Sequence, residues 1–173
     1  MAPNYSTSPP TVLVVMGVTG TGKSTVAGLL AGHLGWALQE GDDLHPEANV
    51  EKMSKGIPLT DEDRMPWLDI IAAWIDGQAA RGEPGIVTCS ALKRIYRDRL
   101  RRPNVIFVHL SGSPELIASR MAKRLDHFMP TTLLKSQLDT LEPPGPDENV
   151  ITVNLSGQPS EQVAEVLHEL GRP

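Results

Sequence analysis

Two short stretches of this chain carry residue types that could do chemistry. The first, "G-V-T-G-T-G-K-S" from Gly17 to Ser24, matches the pattern G-x-x-x-x-G-K-[ST] in full. In such a loop the glycines let backbone amides turn inward with no Cβ in the way, and the helix that follows adds the partial positive charge of its N-terminus. The result is a nest for phosphates. Gly17, Thr19, Gly20, Thr21, Gly22, Lys23, Ser24 and Thr25 are therefore the candidates for holding a nucleotide. Lys23 is expected to reach the β- and γ-phosphates and act in catalysis, the Ser24 hydroxyl to ligate Mg²⁺, and Thr25 to add a contact to the α-phosphate. The second stretch, "E-G-D-D-L-H-P-E" from Glu40 to Glu47, crowds four carboxylates and a histidine together. It reads as a metal site, a solvated acidic loop, or the floor of a pocket for a polar substrate. Only His45 offers a nitrogen ligand there, and the oxygens suit Mg²⁺ better than Zn²⁺.

The elements around these stretches decide between the readings. "T-V-L-V-V-M" (11–16) is a β-branched apolar run ending in glycine, the mark of a strand buried on both faces of a parallel sheet. Similar short runs at 36–39, 86–89, 105–110 and 150–155 repeat it, with helical segments between them, which predicts an α/β fold with right-handed crossovers. Apolar spacing places Val26, Leu29, Leu30 and Leu34 on one helix face after Lys23, and Trp67, Ile70, Ile71, Trp74 and Ile75 on another after Pro66. "S-P-E-L-I" (113–117) has a capping serine followed by proline at the first helical position. The phosphate loop thus sits between a buried strand and an amphipathic helix, and the acidic stretch sits at the end of the second strand, beside that loop.

That placement favours the substrate pocket. A carboxylate there can orient an acceptor hydroxyl and take its proton as the bond to phosphorus forms. Asp42 is the candidate base; Glu40, two residues earlier on the same side of the strand, is a candidate for holding Mg²⁺ through water, and Asp43 points the other way. The guanine-reading N-K-x-D sequence is absent, which favours ATP, and 173 residues leave no room for the extra domains of most motor ATPases.

Composition sets wider bounds. The length fits one domain over 11–173 preceded by a short arm over 1–10. No apolar run approaches the ~20 residues needed to cross a bilayer, and the N-terminus lacks a signal-peptide pattern, so no membrane partner and a cytoplasmic location are expected. The lone Cys89, in "G-I-V-T-C-S", reads as a small buried side chain. Net charge is −5, against general nucleic-acid binding, yet more than half of the 16 Lys and Arg lie between Lys93 and Arg124.

Longer motifs make the chain familiar. The run "G-D-D-L-H-P-E-A-N-V-E-K-M-S-K-G-I-P-L-T-D-E-D-R-M-P-W-L" (41–68), with "C-S-A-L-K-R-I-Y-R-D-R-L-R" (89–101) and "H-F-M-P-T-T-L-L-K-S-Q-L-D-T-L-E-P-P" (127–144), closely resembles the thermoresistant gluconokinase family. The resemblance spans about residues 12 to 155. It implies phosphorylation of D-gluconate at its 6-hydroxyl by ATP with Mg²⁺. It also implies a three-layer P-loop kinase fold like that of shikimate and nucleoside monophosphate kinases, with a five-stranded parallel sheet, flanking helices and a mobile lid at roughly 122–135. A homodimer is implied as well.

An anion bearing hydroxyls needs cations for its carboxylate and acceptors for its hydroxyls. Arg64, Lys93 and Arg97 are the candidate cations, Asp42 and His45 the candidate hydroxyl partners, with Tyr96 and Gln137 able to join them. Arg120, Lys123, Arg124 and His127 share one helix face leading into the lid. The resemblance puts Arg120 near adenine and Arg124 near the phosphates, where a cation stabilises the charge of transfer. Glu40 stands where many family members have aspartate, and Met65 where a polar residue is common. The rival readings are another small-acceptor kinase, of shikimate or nucleotide type, and a non-catalytic nucleotide- or RNA-binding protein that uses the basic segment 93–102.

Overall fold

The computed structural model describes residues 10–122 and 131–171. Five strands, β1 (Val12–Met16), β2 (Ala37–Glu40), β3 (Gly85–Thr88), β4 (Val105–Ser111) and β5 (Val150–Asn154), form one parallel sheet in the order β2-β3-β1-β4-β5. β1 lies between β3 and β4, with Val14 opposite both Val87 and Phe107, so the most apolar strand is central. Helices α1 (Lys23–Leu34), α2 (Glu47–Ser54), α3 (Asp61–Arg81), α4 (Arg94–Leu100), α5 (Pro114–Ala122), α6 (Thr131–Thr140) and α7 (Pro159–Glu169) complete the described elements.

Strand alternation divides the core in two. Leu13 and Val15 face Val26, Leu30, Val163 and Val166 of α1 and α7 on one side. Val12, Val14 and Met16 face Trp67, Leu68, Ile71 and Ile75 of α3 on the other. This is the expected three-layer α/β architecture, and every strand end lies within one residue of the sequence reading. Leu29 and Ile70, expected on the core faces, are exposed, and Trp74 is only partly buried.

Helix α3 starts five residues before Pro66. Thr60 and Asp63 form a reciprocal capping box, Asp63 N donating to Thr60 Oγ1 (3.1 Å) and Thr60 N to Asp63 Oδ2 (2.9 Å), and this start outweighs the break that proline imposes. Arg64 is therefore held on a helix. Ser113 caps α5 as expected through Leu116 N (3.1 Å), whereas α7 begins at Pro159 with Gln158 as its cap. Residues 1–9 and 123–130 lie outside the described residues, so the arm and most of the expected lid do too; residues 131–135 belong to α6.

Where β2 ends, the chain passes close to the end of β3. A Cβ built on Gly41 would lie 1.9 Å from the Thr88 carbonyl oxygen. No rotamer relieves a clash with backbone, so Gly41→Ala is expected to destabilise the protein by about 3 kcal/mol. Guanidinium unfolding measures it, and an unchanged midpoint would mean that the two strand ends separate freely.

Candidate active site

The loop between β1 and α1 carries the phosphate pattern. Gly22 caps α1 with φ +85°, a left-handed backbone that turns the loop sharply into the helix. Lys23 Nζ donates to the carbonyls of Gly17 (3.0 Å) and Val18 (3.1 Å), folding the side chain back over the loop. Burial pushes this ammonium below its usual pKa, while the charges of Asp42 and Glu40 oppose that shift. Thr21 Oγ1 donates to Val18 O (2.8 Å), bracing the turn from within.

Two strand ends and the start of α1 meet at Glu40. Its Oε2 accepts from Ser24 Oγ (3.0 Å) at the start of α1 and from Thr88 Oγ1 (2.8 Å) at the end of β3. Thr88 Oγ1 in turn accepts from Gly41 N (3.0 Å). This hard-oxygen set of a hydroxyl and a carboxylate beside a phosphate loop fits Mg²⁺, which takes its remaining ligands from phosphate and water.

Asp42 follows in a short turn with its side chain 90% exposed, 4.0 Å from His45 Nε2. The His45 ring stacks on Trp67 with centroids 4.0 Å apart and planes 15° from parallel. Trp67 Nε1 donates to Gly41 O (2.7 Å), so the turn and α3 are tied together. Asn49 Nδ2 lies 3.2 Å from His45 Nδ1 and donates to Asp63 O (2.9 Å). Burial lowers the His45 pKa, with the Arg64 charge adding to the effect and Asp42 opposing it.

The cations form a second group. Lys93 Nζ contacts both oxygens of Asp61 (2.9 and 3.1 Å), and Tyr96 Oη donates to Asp61 Oδ1 (2.5 Å). Arg64 donates to Leu59 O (2.6 Å) and Tyr96 Oη (3.3 Å), its guanidinium carbon 5.6 Å from the Tyr96 ring centroid. Burial and the bond to Asp61 push the Tyr96 phenol up to about 12, and the Tyr96 and Lys93 hydrogen bonds hold Asp61 below its ordinary value.

Arg97 is not in this group, which corrects its assignment to substrate binding. Its side chain has no exposure, and its five N–H donors are committed: Nε and Nη2 to Glu148, Nη1 to the Ala91 and Leu92 carbonyls, Nη2 to Glu142 O. Ala91 has φ +49°, so Arg97 braces a strained turn from which Lys93 projects.

Gln137 stands beside the phosphate loop, its Oε1 accepting from Thr19 N (2.6 Å). Arg120 donates to Leu155 O and to Gly157 O (3.1 Å), on the loop after β5. Arg124 lies outside the described residues. Thr88, Asp61, Asn49 and the Trp67 indole had no role in the sequence reading. Thr88 alone carried a signal, since ligands sit at the carboxyl ends of parallel strands.

The basic segment has an acidic partner at each turn. Arg94 pairs with Asp147, Arg99 with Asp69 (3.3 Å), Arg101 with Asp98 (2.7 Å) and Arg102 with Asp76 (2.8 Å). The charge of this segment is thus largely neutralised within the chain.

Sheet order, phosphate loop and acidic strand end together define a P-loop kinase for a small acceptor. The same fold occurs in the APS kinase CysC of Mycobacterium tuberculosis (TM-score 0.70, 18% identity, 94% of this chain and 98% of that one). The chain belongs to the gluconokinase family. It is 53% identical over 160 residues to the gluconokinase of Gluconobacter oxydans, covering 91% of this chain and 90% of that one. It is 43% identical to the thermoresistant gluconokinase of Escherichia coli, with 88% of each chain covered. A gluconokinase crystal structure from Sinorhizobium meliloti 1021 superposes with TM-score 0.84 at 47% identity, over 94% of this chain and 92% of that one. No family model matches the chain.

Arg97→Met would leave the buried Glu148 without the guanidinium that bonds both its oxygens, at an expected cost of about 3 kcal/mol in chemical unfolding. The KM for gluconate should stay within roughly threefold. A tenfold rise in KM with stability intact would return Arg97 to the substrate site.

His45 and His109 give a second expectation. Burial lowers both pKa values from 6.5, with Arg97 adding to the effect on His109. Below pH 6.5 the unfolded chain therefore binds protons that the folded chain refuses. The stability these groups contribute is complete above the unfolded value and is lost as pH falls toward the folded ones. The melting temperature should drop between pH 6.5 and about 5, above the range where carboxylates titrate. His109→Gln should flatten that slope; an equal slope would assign it elsewhere.

Proposed function

We propose that this protein transfers the γ-phosphate of ATP to the 6-hydroxyl of D-gluconate, giving 6-phospho-D-gluconate and ADP. The observation that carries the proposal is the placement of Asp42. An exposed carboxylate stands on a turn held at Gly41 and at His45, its charge acting on Lys23 of the phosphate loop and on His45 of the same turn. The relatives named gluconokinase support the choice of acceptor.

In this mechanism the loop amides of Gly17, Thr19, Gly20, Thr21 and Gly22, with Thr25, hold the phosphates, and Lys23 moves from the loop carbonyls onto the β- and γ-oxygens. Ser24 and Glu40 would hold Mg²⁺, Glu40 through water, and the ion would supply charge neutralisation between the β- and γ-phosphates. Transfer is loose and largely dissociative, so positioning and electrostatics carry most of the rate. Asp42 aligns the 6-hydroxyl; as its oxygen bonds to phosphorus, the bond from γ-phosphorus to the bridging oxygen breaks toward ADP and the proton passes to Asp42.

Arg64 and Lys93 take the gluconate carboxylate, and His45 takes a further substrate oxygen. Gln137 contributes its amide nitrogen from α6. Arg120 borders adenine, and Arg124 closes over the phosphates with a lid at 122–135, excluding water. The chain acts as one domain from residue 11 onward, as a homodimer in the cytoplasm, with no nucleic-acid or membrane partner. No helix among the described residues is long and apolar enough to cross a membrane.

ADP release measured with D-gluconate, other sugar acids, shikimate and nucleotides tests the reading. Gluconate should be preferred, and Lys23→Ala and Asp42→Asn should each lower turnover by roughly 10²-fold or more. Equal rates across the acceptors would overturn the substrate, and near-normal turnover in Asp42→Asn would remove it as the base.

A further inference from the structure

Beyond the assignment of His45 to the substrate, the structure determines which way its ring works. Asn49 is buried, and its Nδ2 lies 2.9 Å from the Asp63 carbonyl oxygen and 3.2 Å from His45 Nδ1. A carbonyl oxygen only accepts, so the Asn49 atom facing it is the amine, and the orientation of the carboxamide is settled by its partner. The amine has two hydrogens. One goes to Asp63 O, and the second points at Nδ1, which must present a lone pair. A neutral imidazole with a bare Nδ1 carries its proton on Nε2.

The other neighbours reinforce this arrangement. Trp67 holds the ring plane, and Trp67 is itself tied to Gly41 O. The charged groups that face the ring are Asp42 on its own turn and Arg64 on α3, while Asp63 contributes its backbone oxygen. Protonating Nδ1 would set an N–H against the Asn49 amine, donor against donor. Nε2 lies 4.0 Å from Asp42 Oδ1, beyond a direct hydrogen bond, so its N–H is not consumed by that carboxylate.

We propose that Asn49 is a positioning residue that locks His45 in the Nε2–H tautomer, making His45 a hydrogen-bond donor to an acceptor oxygen of the substrate. Locked in this way His45 is no base, since Nε2 has no lone pair to offer. It complements Asp42, which accepts from a hydroxyl, so the turn reads a substrate with a donor and an acceptor oxygen side by side, as in a polyhydroxy acid. The tautomer rests on geometry alone; the role toward substrate rests on the gluconate reading above.

Long-range ¹H–¹⁵N spectra of the histidine-labelled, ligand-free protein test the first part. His45 should show one protonated nitrogen, Nε2, across the neutral range. A Nδ1–H pattern or an averaged mixture would overturn the lock.

Kinetics of Asn49→Asp test the second part. A carboxylate at position 49 would accept from Nδ1–H, so raising the pH through the new His45 pKa would leave Nε2 bare. The gluconate KM should then rise about tenfold between about pH 6.5 and 9, while the wild-type KM stays flat and the ATP KM is unchanged in both. Parallel KM profiles in the two proteins would overturn the donor role. If Asn49→Asp does not fold, His45→Gln, which keeps a donor at similar reach, compared with His45→Glu, which does not, gives the same readout through gluconate KM. A wild-type protein that releases no ADP with gluconate would overturn the acceptor reading and the donor role together, while leaving the tautomer to its spectrum.

Discussion

A single carboxylate oxygen, Glu40 Oε2, receives hydroxyl hydrogens from Ser24 and Thr88, and the reaction centre is arranged around it. Ser24 opens α1 behind the phosphate loop, Thr88 ends β3, and Glu40 ends β2, so the node ties two paired strand ends to the helix packed against them. Thr88 also accepts from Gly41 N, and Gly41 O accepts from the Trp67 indole. The backbone of the turn bearing Asp42 is therefore held on both sides. A carboxylate carried on backbone held in this way needs little reorganisation, and positioning is where most of the rate in phosphoryl transfer resides. That Gly41 has no room for a Cβ follows from the same closeness.

Charge is distributed around this node by the cost of burial. The deepest cation, Arg97, sits against Glu148 and three carbonyls, where an unpaired guanidinium would be intolerable. Its work is mechanical: it connects the turn at Ala91, the start of α4 and the connector at 142–148. Lys93 and Arg64 stand nearer solvent and share one carboxylate, Asp61, with Tyr96 between them. Two cations against one acid leave a net positive site suited to an anion. The other arginines from 94 to 102 are spent on surface carboxylates, so a segment that looks basic in the sequence is close to neutral in space.

The phosphate loop was legible because every contribution to it is local: glycines for the turn, a buried strand before it, a helix after it. The place of Glu40, Asp42 and His45 beside the phosphate loop was legible because they follow a strand end. Arg97 and Arg64 are the instructive contrast. Both lie in motif-rich segments, Arg64 next to Asp61, Glu62 and Asp63 and Arg97 among other bases, and neither neighbourhood says which guanidinium is buried. Glu148 is 51 residues from Arg97 and closes on it only when the connector folds back, whereas Arg64 is turned toward Tyr96 by a helix that begins at the Thr60 cap. Asn49 was silent for the same reason, since its partner Asp63 is 14 residues away on another helix.

By itself the sequence determined the class of chemistry and the family, because a phosphate nest, a strand-end acid and the long motifs are contiguous stretches whose physics is written in neighbouring residues. Tertiary structure alone decided which cation is free for an anion, which carboxylate is pinned behind the loop and which nitrogen of His45 carries the proton. Those depend on which groups desolvate one another, and desolvation is set by distances through space that no spacing along the chain records.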